Sequence, residues 1–321
     1  MDVTLYVGEI AALLTAAVWA AAALIWVHVG RYLRPLLLNM TKNLIAAAIL
    51  FGVALLLGLG LFNLPPGAAL LFAASGALGI GIGDTFYLQS LNRLGPAWAL
   101  LITMLTPPLT VLMGWVFLGE TLGGVAIAGV ALTVIGVGWV VLRPPQADNV
   151  DAVVSEADPE RPAASVPDQT PQALRVGVGL ALLGVLLQSA SMIVNRQAFV
   201  LGGADADALV STVYRLAAGG LVLAVLLPMV KPVASLPPVW RVPTRVWYWL
   251  GATTLISTAG GMLLMQVAVE RASNAGVVQT LLSASPLFVI PMVALAGQRV
   301  GGSTVLGGLV AIAGVAMLFA G

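Results

Sequence analysis

The sequence predicts an all-α integral membrane protein with ten transmembrane helices, arranged as two inverted five-helix repeats. Composition, the length and number of the apolar runs, and an internal duplication predict it. Of 321 residues, 60% are hydrophobic and 8% charged, and the mean hydropathy is +1.03. Soluble domains carry roughly a quarter charged residues, so this chain expects lipid around it.

A bilayer core of about 30 Å needs about 20 apolar residues in a helix that rises about 1.5 Å per residue. Runs of that kind lie near residues 8–28, 35–58, 68–90, 96–118, 122–142, 175–199, 207–230, 246–268, 276–297 and 302–320. Short connections with turn chemistry separate most of them: Asn63-Leu-Pro-Pro-Gly67, Gly95-Pro96, Gly123-Gly124, Gly202-Gly203 and Gly301-Gly302. Short loops make neighbouring helices antiparallel.

The stretch from Gly81 to Leu142 recurs, without gaps, 178 positions later. Gly83 meets Gly261, Arg93 meets Arg271, Ala97 meets Ala275 and Pro108 meets Pro286. Further on, Gly119 meets Gly297, Gly123 and Gly124 meet Gly301 and Gly302, and Gly129 and Gly136 meet Gly307 and Gly314. In so apolar a chain, Ala, Leu and Val coincide often; the Arg at a helix junction, the Pro inside an apolar run and the paired Gly carry the weight. Five spans per half is an odd number, so the second half enters the membrane from the opposite face and the copies are inverted.

The halves are expected at residues 1–143 and 175–321, joined by a flexible linker at 144–174. There Asp148, Asp151, Glu156, Asp158, Glu160 and Asp168 stand against Arg161 among Pro, Ser and Gln. Such a segment has too little apolar surface to order itself.

Several function classes drop out on composition. The net charge of +1 gives no field for nucleic acid. With no Cys there is no thiol chemistry, and the one His, His28, leaves no zinc or other metal site to build. His28 reads as an interfacial side chain. The acidic start, Met1 to Glu9, and the long run behind it read as a first span rather than a cleaved signal. Arg31, Arg34, Arg93, Arg143, Arg161, Arg175, Lys231, Arg241, Arg245 and Arg299 fall on the linker side of this topology, against Arg271 and Arg196 on the other; by the positive-inside rule the linker side faces the cytoplasm.

Trp19 in the first span, Lys42 in the second, Gly95-Pro96-Ala97 opening the fourth, Pro107-Pro108 within it, and Leu118-Gly-Glu120 before Gly123-Gly124 form an ordered set. In order and in doubled spacing, the chain resembles the EamA type of the drug/metabolite transporter superfamily, over nearly its whole length except the linker. The second copy departs from the pattern at Ser273-Asn274 and Gln298-Arg299. The resemblance implies a secondary carrier of amino acids or other small metabolites, with no cofactor and with a cavity between the halves. It also implies both termini in the cytoplasm, against the charge count.

An ionisable side chain at the centre of a membrane helix costs about 2.5 to 3.5 kcal/mol on insertion scales and turns inward to a partner or to water. The candidates for substrate binding are Trp19, Lys42, Asp84, Tyr87, Gln188, Arg215, Gln266 and Gln279, with Asn39, Asn43, Gln89, Asn195 and Tyr214 as further polar residues within the spans. Lys42 and Arg215 occupy matching places in the second span of each half, and two readings stand: snorkelling to the headgroups or an anion-binding wall. Asp84 has Met262 as its repeat partner, and an acid that breaks the symmetry points to function. It binds a substrate amine, pairs with Lys42 or Arg215, or takes up a proton coupled to transport. Lys42 and Asp84 together match both charges of a zwitterion, which favours amino acids. Tyr87 is one turn from Asp84, and Trp19 and Gln188 occupy similar depths; Trp19 equally serves packing. Gln266 and Gln279 line the site or bond a neighbouring helix. Pro107, Pro108 and Pro286 break the helical ladder at equivalent places, as packing kinks or as hinges.

The resulting expectation is a permease or exporter in the inner (cytoplasmic) membrane, a monomer or homodimer, working on a small-molecule substrate by alternating access. A multidrug or nucleotide-sugar-like carrier is the alternative. A polytopic enzyme on a lipid-linked substrate ranks below both, because the chain lacks a G-x-S-x-G and the residues to assemble a nucleophile with its base. Removing the acidic linker, residues 146 to 172, is expected to leave uptake rates in reconstituted vesicles unchanged; loss of uptake in a folded deletion variant would assign the linker a working role.

Overall fold

The structure, a computed structural model, describes residues 7–118, 123–142, 170–229, 239–271, 281–295 and 301–318. Every regular element among the described residues is helical: α1 (Val7–Val29), α2 (Pro35–Leu56), α3 (Pro66–Leu94), α4 (Pro96–Thr103), α5 (Thr106–Leu118), α6 (Gly124–Val141), α7 (Pro171–Gly202), α8 (Ala208–Leu226), α9 (Thr244–Ala268), α10 (Ser285–Leu295) and α11 (Gly302–Leu318). Among the described residues, eight segments are long and apolar enough to cross a membrane: α1, α2, α3, α4 with α5, α6, α7, α8 and α9. With α10 and α11 of 11 and 17 residues, the chain is an all-α polytopic membrane protein.

The helices α2, α3, α4 and α7 have proline as their first residue. The missing N–H costs nothing there, because the first N–H groups of a helix have no internal acceptor anyway. Before Pro96, Gly95 takes φ +77°, a left-handed turn that other residues rarely adopt. Thr170 caps α7, its Oγ1 accepting from Ala173 N at 3.3 Å. The sixth span therefore starts at Pro171 rather than 175 and runs 32 residues to Gly202. Residues 170–174, expected in the linker, belong to this helix and its cap, so a deletion that spares the helix ends at 169. The rest of the expected linker, and most of the loop into the ninth span, lie outside the described residues.

The fourth span, expected as one helix over 96–118, is two. Pro107 and Pro108 have no N–H for the carbonyls of Thr103 and Met104. The chain makes a tighter turn instead, Met104 N donating to Leu101 O at 3.2 Å and Leu105 N to Ile102 O at 3.0 Å. The ninth span turns in the same way before Pro286, where Ala284 N donates to Leu281 O at 3.1 Å. Leu282 O, deprived of Pro286, accepts from Ser285 Oγ at 2.9 Å. Two wide π-helical turns interrupt the ladder as well, Gly76–Gly83 in α3 and Thr254–Gly260 in α9.

Helices of the first half pack against helices of the second: α6 on α11, α2 on α8, α1 on α9 and α10, and α7 on α3, α4 and α5. Lipid is as apolar as leucine, so close packing rather than the hydrophobic effect holds such pairs. The α6–α11 contact is the tightest. A Cβ on Gly136 would lie 2.7 Å from Gly307 O and 2.6 Å from Ala311 N, and one on Gly314 would lie 2.8 Å from Gly129 O. The bulky side chains turned outward on these helices, Val125, Ile127, Val134, Ile135, Leu306 and Leu309, are exposed.

Two long-range bonds bring the basic ends of three helices together. Arg245 Nη2 donates to Tyr32 Oη at 3.5 Å, and Asn92 Nδ2 donates to Gly30 O at 3.4 Å. The basic residues Arg31, Arg34, Arg93 and Arg245, which the charge count put on one side, thus share one end of the bundle.

Gly136→Ala is expected to lower thermal stability in detergent, by about 1 to 3 kcal/mol for an overpacked contact. Gly138, two residues on, has open space around its α-carbon, so Gly138→Ala serves as the control with the same gain in helix propensity. Equal unfolding temperatures for the two variants would refute the packing role of Gly136.

Candidate functional site

On α2, Asn39, Lys42 and Asn43 are three and four residues apart and share one face. All three are buried. The face meets the exit of the π turn in α3. Asn39 Nδ2 donates to Ile80 O and Gly81 O, each at 2.8 Å, and lies 3.0 Å from Thr85 Oγ1. Asn43 Nδ2 donates to Asn39 Oδ1 at 3.1 Å. The amides thereby hold the backbone just before Asp84, the first residue after the π turn.

Both carboxylate oxygens of Asp84 accept. Lys42 Nζ lies 3.1 Å from Oδ2, and Gln188 Nε2, from α7, lies 2.6 Å from Oδ1. Lys42 Nζ also donates to Asn43 Oδ1 at 3.3 Å. The Lys42 side chain is 8% exposed, so its charge is not lifted to the headgroups. Of the roles open to Asp84, pairing with Lys42 is the one realised in this structure, and the pair expected to read the two charges of a zwitterion is bonded to itself.

Arg215 reaches the site because glycines let α8 approach α3 closely. A Cβ on Gly76 would strike the backbone of Arg215, and one on Gly81 would lie 3.0 Å from Gly219 O. The guanidinium is buried, with Nε donating to Ser75 Oγ at 3.1 Å and Nη1 to Gln266 Oε1 at 3.4 Å. Gln266 Nε2 donates in turn to Ser211 Oγ at 2.8 Å. These partners are neutral. Among the described residues no carboxylate is bonded to Arg215.

A cavity of about 220 Å³ opens between the halves. Trp19, Lys42, Asp84, Tyr87, Gln188 and Arg215, all expected at the site, line it. Gln266 does not; it is buried and bonded to Arg215 and Ser211 of the neighbouring α8, so of its two expected roles, lining the site or bonding a neighbouring helix, the second is the one seen. Gln279 lies outside the described residues. Pro286 lines the cavity, and beside the other helix break Thr103 and Thr106 do so while Pro107 and Pro108 are packed away from it. Trp26, Met192, Met262 and Met265 complete an apolar wall. Sequence reasoning passed over Ser75 and Ser211, small hydroxyls that are ordinary in any helix. It also passed over Thr103 and Thr106, whose signal was their position beside the two prolines.

The EamA-like transporter family profile matches residues 6–142 and again residues 175–320. The chain belongs to the EamA-like transporter family. It is a multi-pass membrane protein of the secondary-transporter, permease class, and small-molecule transport across a bilayer fits the cavity between its halves. No curated protein sequence matches it. One solved chain, described only as a crystal structure of a protein, is similar at a TM-score of 0.62 and 18% identity, covering 99% of this chain and 96% of that chain. At that identity the likeness speaks for the fold alone.

Replacing Asn39 by Leu removes one donor from Ile80 O, which keeps Asn43 Nδ2, and one from Gly81 O, which keeps Thr85 Oγ1, and it takes the Oδ1 acceptor from Asn43; each lost bond costs about 0.5 to 1.5 kcal/mol. The variant is expected to unfold at lower temperature and to transport more slowly. An unchanged melting curve would show that the amide does not hold the π turn.

Proposed function

We propose that this EamA-like permease carries amino acids or related small metabolites across the cytoplasmic membrane by alternating access, and that its halves are inverted five-span repeats. The observation behind the reading is the cavity at the junction of the halves, where the described residues place two cations and one carboxylate within an apolar wall. Small metabolites with charged groups are what such a wall can orient, since each polar group recovers a partner on leaving water.

Inversion is supported by how the halves pair. The π turns begin at Gly76 and Thr254, 178 positions apart by subtraction, the offset of the sequence repeat. In α6 and α11 the repeat-related pairs cross: Gly129 faces Gly314, and Gly136 faces Gly307. Thr133 Oγ1 reaches Ala311 O, its own repeat equivalent at a separation of 178, at 3.4 Å. A residue that touches its own equivalent lies beside a two-fold axis. The pairs α1–α9 and α7–α3 obey the same interchange.

In the proposed cycle the broken helices α4–α5 and α10 act as hinges. Their turns flank the cavity, and each half bends at its own break to open one face. The α6–α11 contact stays rigid. Asp84 serves the coupling: a substrate ammonium or a proton takes over the carboxylate when Lys42 moves aside. Glycine faces occupied within one chain favour a monomer as the working unit.

The test is purified protein in liposomes preloaded with mixed amino acids, read as exchange against labelled amino acids with and without a pH gradient. Exchange of a definite class that falls at least about tenfold in Asp84→Asn is the expected result, equivalent to about 1.4 kcal/mol of lost stabilisation. Full exchange in that variant, with unaltered response to the pH gradient, would remove Asp84 from the cycle. No exchange of amino acids, nucleosides or sugar phosphates would sink the substrate assignment and turn attention to the multidrug alternative.

A further inference from the structure

Donors outnumber acceptors in this cavity. Among the described residues its one carboxylate is Asp84, which already accepts from Lys42 at one oxygen and from Gln188 at the other. Arg215 remains charged in any protein environment, yet it is met only by the Ser75 hydroxyl and the Gln266 carbonyl. Trp19 and Tyr87 both line the cavity, and among the described residues neither the indole N–H nor the hydroxyl has a hydrogen-bond partner. Counting Lys42, Arg215 and Asp84, the charged residues that line the cavity among the described residues sum to +1.

We infer that the substrate is a small organic monoanion, and that its carboxylate docks on Arg215 and makes up the missing negative charge. The inference rests on the carrier reading and narrows it from amino acids and related metabolites in general to molecules with one negative charge and no ammonium, such as 2-oxo acids. A zwitterion leaves the cavity at +1, and its ammonium has to dislodge Lys42 or Gln188 from Asp84. A cation raises the charge to +2. A monoanion brings the sum to zero, leaves the Lys42–Asp84 pair intact, and supplies acceptors to the guanidinium and to the idle donors. Gln266 is a positioning residue in this scheme: it holds Nη1 from behind and leaves the cavity side of the guanidinium to the ligand. The apolar wall of Trp26, Met192, Met262 and Met265 takes the carbon skeleton.

Three probes share one isobutyl skeleton and differ in charge: 4-methyl-2-oxopentanoate, leucine and leucinamide. Each is titrated into the full-length protein by isothermal calorimetry and tested for counterflow in liposomes. The oxo acid is expected to bind about tenfold or more tighter than leucine and to drive counterflow, with leucinamide inert. Arg215→Gln is expected to abolish the preference between oxo acid and leucine, Arg215→Lys to keep part of it, and Gln266→Leu to weaken the oxo acid alone. Leucine or leucinamide preferred over the oxo acid in the unmodified protein would overturn the inference and leave the carrier reading standing. If none of the three binds or moves while the labelled amino-acid panel exchanges, the inference falls and the carrier reading stands; if that panel fails as well, the amino-acid assignment falls with it. Because the unmodified protein decides, a variant that fails to fold does not blunt the test.

Discussion

A carboxylate at the depth of Asp84 persists in a membrane protein only when its charge is met, and the rest of the site follows from how that is done. Lys42 comes from α2 and Gln188 from α7, so the acid of one half is bonded from both halves. Drawing these two side chains to one point requires α3 to present Asp84 at a set height and angle. The π turn supplies the angle, and the amides of Asn39 and Asn43 hold it. Each bond is modest in lipid, about 0.6 kcal/mol on average, but the network is connected, so one loss propagates to several partners.

Irregular backbone in a bilayer is tolerated only where it is buried in protein or lines a cavity, and the breaks in this chain keep to that rule. The turn before Pro107 and the turn before Pro286 both border the cavity, and the carbonyl freed by Pro286 is recaptured by Ser285. Glycine does the complementary work. At Gly76 and Gly81 it admits the backbone of α8 to contact with α3, which delivers Arg215 into the cavity with no carboxylate bonded to it among the described residues. A side chain at either glycine would push that guanidinium out of place. Close packing, broken helices and site chemistry are therefore one device: the small residues set the separation of the helices, and the separation sets which polar groups meet.

Much of this was present in the order of residues. Apolar runs of spanning length, short turns and the offset of 178 between Pro108 and Pro286 identify a helical membrane protein with a duplicated plan. The rarity of ionisable side chains within those runs singled out Lys42, Asp84 and Arg215, because each is too costly in lipid to be incidental. All three line one cavity. Gln266 was picked on the same ground and sits behind the cavity wall; a polar side chain in a span signals a partner, but not on which side of the helix that partner lies.

Composition and periodicity by themselves determined the solvent of this protein, its class of fold and the short roster of residues able to carry chemistry. Those properties follow from local free energies of transfer, which the chain carries wherever it goes. Tertiary structure alone decided that Asp84 bonds Lys42 and Gln188 rather than Arg215, that Arg215 is left with neutral partners, and that the fourth span is two helices around a turn. Such choices depend on distances between segments far apart in sequence, and those distances are set by glycine contacts and π turns whose effects no single segment contains.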